Sequence, residues 1–96
     1  AMVYGVFDGE DLIGYVWAYE HPFREEIRVY VNEIHVEEAY RNRGIGKQLL
    51  YAVESLARER GYKALYIHAE SDNDGAIRLY QNEGYTIERV QLRKAL

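Results

Sequence analysis

The sequence contains no cysteine and a single proline, Pro22. The first absence excludes disulfides, thiolate metal ligation and covalent chemistry on a cysteine of this chain, so any reacting thiol must arrive with a ligand. No apolar run approaches the roughly 20 residues that a membrane-spanning helix needs, and no basic segment leads into an apolar stretch at the start. A cytoplasmic protein without a membrane partner is the expectation. A basic excess is missing as well: the formal charge is −4 over 96 residues, which argues against nucleic acid as a partner and favours cationic or amine-bearing ones. Repeats, linkers and low-complexity stretches are absent, and the length suffices for one compact core. One domain over residues 1–96 is therefore expected. Met2 reads as an initiator with Ala1 added ahead of it, which would make the short length natural.

What is present is strongly patterned. Val3 to Phe7 and Leu12 to Tyr19 are rich in β-branched and aromatic residues, and Asp8-Gly9-Glu10-Asp11 between them reads as a hairpin turn. A charged link, His21 to Glu26, leads to a third strand over Ile27 to Val36. From Ile45 the apolar period lengthens to that of a helix, with Ile45, Leu49, Ala52, Val53, Leu56 and Ala57 on one stripe and Gly61 as its stop. Ala64 to Ala69 reads as a buried strand. Ser71 to Asp74 offers N-caps for a helix through Glu83 that Gly84 ends, and Tyr85 to Leu92 reads as a last strand. The fold class is α/β (α+β), in the order β-β-β-α-β-α-β. A right-handed crossover then lays the fourth strand parallel to the third in a mixed sheet.

Arg41-x-x-Gly44-x-Gly46 falls between a strand and the strongest helix, where unpaired backbone N–H groups and the positive end of the helix face outward. Glycine there lets an anion approach the backbone, and Arg41, Arg43 and Lys47 add charge of the right sign. Leu49 stands where a dinucleotide fingerprint would have its third glycine, and Gln48 stands where a P-loop would have Ser or Thr. On spacing alone, a phosphate site and an ordinary strand-to-helix turn are both open. Downstream lies Asn73-x-x-Ala76-x-x-x-Tyr80-x-x-x-Gly84-Tyr85. Together, Val36 to Leu50 resembles the acetyl-CoA-binding motif of the GNAT acetyltransferases and Asn73 to Tyr85 resembles their second motif, a likeness that runs from about Val3 to the C-terminus.

The resemblance implies a GNAT-like fold and an N-acetyltransferase that moves an acetyl group from acetyl-CoA to a primary amine by direct attack in a ternary complex, with no metal. It places the pantetheine arm along Ile34, His35 and Val36, and the pyrophosphate on Arg41, Asn42, Arg43, Gly44, Ile45, Gly46 and Lys47. Asn73, Ala76 and Tyr80 would complete the cofactor site, and Tyr80 would protonate the departing thiolate. A phenol with an ordinary pKa near 10 keeps its proton at neutral pH and can donate it. For the base that deprotonates the amine, Tyr30 and His68 match positions used in some branches, while Glu33 and His35 stand on the same strand. A β-bulge there would change which of them face the cleft. Plainer roles stay open: core packing for Tyr80 and His68, helix capping for Asn73.

Two family features are missing. The chain starts at the strand meander, without the strand and helices that precede it in most members, and little follows Tyr85. The acceptor pocket is then open, or completed by a second copy in a homodimer. A non-catalytic acyl-CoA-binding or oligomerisation module of the same fold is the alternative to an enzyme, and the amine acceptor is not identified by any segment.

Overall fold

The computed structural model describes residues 2–96; Ala1, and with it the reading of Ala1-Met2, lies outside them. Four strands form one sheet in the order β1 (Met2–Asp8), β2 (Asp11–Phe23), β3 (Glu26–Val36), β4 (Leu65–Ile67). The first three are an antiparallel meander and β4 runs parallel to β3, as the crossover rule requires. Two helices, α1 (Ile45–Glu59) and α2 (Asp74–Asn82), complete the expected mixed sheet with two main helices.

The core lies on one face of the sheet. Met2, Val16, Ala18, Val29 and Val31 alternate inward and pack under Leu49 and Val53 of α1, all of them buried. This is the pairing of a period-two strand pattern with a helical stripe. The opposite face carries Tyr15, Trp17, Tyr19, Tyr30 and Tyr66, and α1 does not cover it. Polar bonds fix α1 over the sheet at its far end, where Arg60 Nη1 lies 2.8 Å from Glu20 Oε1 and the Tyr62 hydroxyl donates to the same carboxylate.

Two boundaries differ from the sequence-based expectation. β2 continues through the expected link to Phe23 and turns into β3 over Arg24 and Glu25. Pro22 is tolerated because β1 pairs with β2 only as far as Ala18, which leaves one side of β2 without a ladder to break. The second difference is a correction: Tyr85 to Leu92 is not a strand. Backbone pairing needs strands about 4.8 Å apart, whereas this segment and β4 both line an open cleft of about 2060 Å³. Ile87, Val90 and Leu92 are consequently exposed. β-branched character marks what fits a sheet surface, not whether a partner edge is within reach.

This packing predicts a sharp contrast in stability. Leu49→Ala, at a core site only 2 % exposed, is expected to cost about 2–5 kcal/mol in urea unfolding. Leu92→Ala, at 89 % exposure, should change stability by less than about 0.5 kcal/mol; comparable losses would show that the tail is packed.

Candidate functional site

Between β2 and β3 the register shifts: Trp17 stands opposite Glu33 and Ala18 opposite Val31, so Asn32 is an extra residue without a partner. This bulge puts Tyr30 and Glu33, three apart in sequence, on the same face. Tyr30 lies among Tyr19, Tyr66 and His68, while Glu33 stands beside Tyr15, whose phenol it holds above its usual range. Pairing with β4 ends at Val31, one residue before the bulge. Beyond it β3 and β4 part, and Asn32, Glu33, Ile34, His68 and Ala69 line the cleft.

The loop after β3 passes through a 3₁₀ turn at Glu38–Tyr40 and enters α1 at Gly44, the N-cap. Asn42 (φ 63°) and Gly44 (φ 79°) are both left-handed, a backbone alternation that turns successive N–H groups toward one concavity. No side chain caps the helix, and its first backbone bond runs from the Gln48 N–H to the Gly44 carbonyl, 3.0 Å. The amides of Ile45, Gly46 and Lys47 therefore precede the helical ladder. The expected positive charge is partly committed elsewhere. Arg41 Nε donates to the Val36 carbonyl at 3.0 Å, Arg43 lies over the Tyr40 ring, and Lys47 Nζ is 3.1 Å from Glu83. What this loop leaves open to an anion is thus its backbone more than these side chains.

α2 is positioned by tethers to α1. Glu83 accepts from Lys47 and, at 2.6 Å, from the Tyr51 hydroxyl; the Tyr85 hydroxyl donates to Glu54 at 2.6 Å. Asn73 caps α2, its side-chain oxygen accepting from the Ala76 N–H at 3.2 Å. At the other end, the N–H groups of Gly84 and Tyr85 return to the carbonyls of Gln81 and Tyr80, a Schellman arrangement that the left-handed Gly84 permits. Tyr80 is held between these two ends. Burial alone raises its pKa, its ring meets Tyr85 edge-on, and among the described residues its hydroxyl has no hydrogen-bond partner.

The cleft brings together Tyr30, Glu33, Ile34, His68, Asn73, Ala76 and Tyr80. His68 stacks on Tyr30 with ring centroids 5.7 Å apart. Outside the lining are His35, which pairs with Glu37 at 3.3 Å, Val36, and the loop from Arg41 to Lys47. Glu83, which lines the cleft and binds Lys47, connects the two regions. Asn32 and Glu83 were not singled out from the sequence. An asparagine amid β-branched neighbours is the signal that could have marked the bulge; a single surface glutamate carries no comparable signal. No cluster able to hold a metal ion occurs among the described residues, and no helix there is long and apolar enough to cross a membrane.

A sheet parted beside a bulge, an uncapped helix start and a second helix presenting a phenol to the cleft make up the candidate site. The chain belongs to the Acetyltransferase (GNAT) family, whose model matches residues 1–85. It is 29 % identical over 89 residues to the uncharacterized N-acetyltransferase YdgE of Bacillus subtilis strain 168, covering 93 % of this chain and 57 % of the relative. It is 31 % identical over 83 residues to mycothiol acetyltransferase of Corynebacterium glutamicum strain R, covering 85 % and 27 %. The chain thus spans a little over half the length of the Bacillus relative. The fold also matches ribosomal-protein-alanine N-acetyltransferase of Brucella melitensis, with a TM-score of 0.79 at 22 % identity, covering 98 % of this chain and 70 % of that one.

The tether between the helices predicts a pH dependence. The Tyr51 hydroxyl and then Lys47 hold the Glu83 carboxyl below its ordinary value of 4.5. A lowered carboxyl contributes stability above its unfolded pKa and loses it as pH falls through the folded one. The difference in melting temperature between the protein and Glu83→Gln should therefore be present near neutrality and shrink as the pH falls below the ordinary carboxyl value of 4.5. A difference independent of pH would mean that the glutamate's charge is not what ties α2 to α1.

Proposed function

We propose that this chain acts as one domain that transfers an acetyl group from acetyl-CoA to a primary amine, both bound together, by direct attack. The observation that carries the proposal is the half-buried Tyr80 hydroxyl, without a hydrogen-bond partner among the described residues, in the same cleft as the β3 backbone freed by the bulge. The uncapped amides at residues 45–47 and the left-handed Asn42 and Gly44 fit a pyrophosphate. An alanine Cβ at Gly46 would meet only ordinary contacts, 3.8 Å from Leu79 and 3.9 Å from Val36, so the fold accepts a methyl group there.

A backbone N–H of β3 beyond the bulge polarises the thioester carbonyl and stabilises the oxyanion that develops on it. The attacking amine must first lose a proton. His68, Tyr30 and Glu33 lie in the lining and are the groups within which that proton is taken up. As the carbon–sulfur bond breaks, Tyr80 donates its proton to the departing thiolate. Partial burial raises its pKa, so the phenol holds its proton at neutral pH as an unperturbed one does. The uncovered aromatic face of the sheet favours the second reading, an acyl-CoA-binding module without its own acceptor wall. A second copy of the chain packed on that face would supply such a wall, making the active form a homodimer in the cytoplasm.

Tyr80→Phe is expected to lower kcat by about 100-fold or more, with the dissociation constant for acetyl-CoA within about twofold of the parent's. Unchanged turnover would remove Tyr80 from the mechanism. In calorimetry, Gly46→Ala should fold and still bind acetyl-CoA, whereas Gly46→Glu should fold and lose binding. Equal binding by both variants would move the pyrophosphate away from the start of α1.

A further inference from the structure

At the outer end of the cleft, where β2 turns into β3, three guanidinium groups gather around one ring. From the Phe23 centroid, Arg28 Cζ is 3.8 Å, Arg89 Cζ 4.5 Å and Arg24 Cζ 5.2 Å away. Arg28 also lies 4.1 Å from the Tyr66 centroid. Its side chain is only 14 % exposed, so it is clamped between two rings instead of being free in solvent. Among the described residues, Glu26 is the one carboxylate that pairs with any of the three, and it takes the Arg28 Nε alone. No carboxylate takes the two terminal nitrogens.

This arrangement runs against the balance of the whole chain, whose formal charge is −4. Like charges held close together repel, and the cost grows where water is displaced. The rings offset part of that cost. A bound anion would offset more, and an Arg with its terminal nitrogens open presents the planar fork that carboxylates and phosphates accept bidentately. Arg28 and Arg89 line the same cleft as Tyr30, His68 and Tyr80. Strands rise about 3.3 Å per residue, so Arg28 lies about 13 Å along β3 from the bulge at Asn32.

We infer that the acceptor carries, besides its amine, an anionic group of the carboxylate or phosphate type, and that Arg28 and Arg89 bind it at the outer end of the cleft. The inference rests on the reading of the cleft as the acceptor site. It makes the two arginines specificity residues that hold the acceptor's far end while its amine stands near the bulge. Arg24 strengthens the local field without having to touch the ligand.

The test is a calorimetric comparison of three probes on the full chain saturated with CoA: hexylamine, aminohexanoate and aminohexyl phosphate. At least one anionic probe is expected to bind about tenfold or more tightly than hexylamine, with the preference shrinking as salt is raised. Which of the two binds better distinguishes carboxylate from phosphate. Arg28→Met and Arg89→Met should each collapse the preference. Arg28 is packed between rings and its variant could fail to fold; Arg89 lies on an unpaired segment, so its variant keeps the test decisive. Equal affinities, tighter binding of hexylamine, no binding of any probe, or a preference that survives Arg89→Met would overturn the inference. A preference observed without any acetyl transfer would instead support it and count against the proposed function.

Discussion

One unpaired residue, Asn32, separates the part of β3 that reaches β4 from the part that keeps β2 alone. From Val29 to Val31 the strand is held on both sides, by β2 and by β4. After it, β3 keeps β2 and loses β4, and its backbone faces a cleft. Because side chains alternate along a strand, one inserted residue exchanges the two faces. It turns Glu33 and His35 toward the aromatic side while Ile34 and Val36 continue to pack against the core. A regular strand with the same residues would have placed Ile34 on the open face and Glu33 under α1.

The remaining parts of the site depend on that parting of strands. After the 3₁₀ turn, α1 starts beside the end of β3, where a Cβ built on Gly46 would lie 3.9 Å from the Val36 side chain. α2 is not packed into the core; none of its residues is buried, and its place is set by bonds from Glu83 and Tyr85 to α1. Such polar tethers are weaker and more geometrically demanding than a packed face. They leave room beneath the helix, which is where Tyr80 has its unpartnered hydroxyl. The space that a tighter fold would fill is the space a ligand needs.

Much of this was legible in the residues. The apolar stripe from Ile45 to Ala57 and the stop at Gly61 gave α1, because a helix period and a left-handed glycine are local properties. Asn73 as a cap was legible for the same reason. The end of β2 and the last segment were not, since pairing depends on what lies opposite, and one sequence does not reveal its partner's distance. Within the site, Asn73, Ala76 and Tyr80 do share the cleft with Tyr30, Glu33 and His68. The charges of Arg41 and Lys47 read as phosphate ligands from their positions, but in the structure they are occupied by the Val36 carbonyl and Glu83. That long side chains would be satisfied within the protein is a tertiary fact with no sequence signature.

The central claim is that backbone freed by the bulge and by the uncapped helix forms a single acetyl-CoA site. It is tested most directly by following backbone amide resonances during titration with acetyl-CoA. The account predicts saturable shifts with one dissociation constant for the amides of residues 33–36 and 44–47, accompanied by those around Tyr80. Shifts confined to other surfaces, or two groups of amides saturating independently, would contradict it.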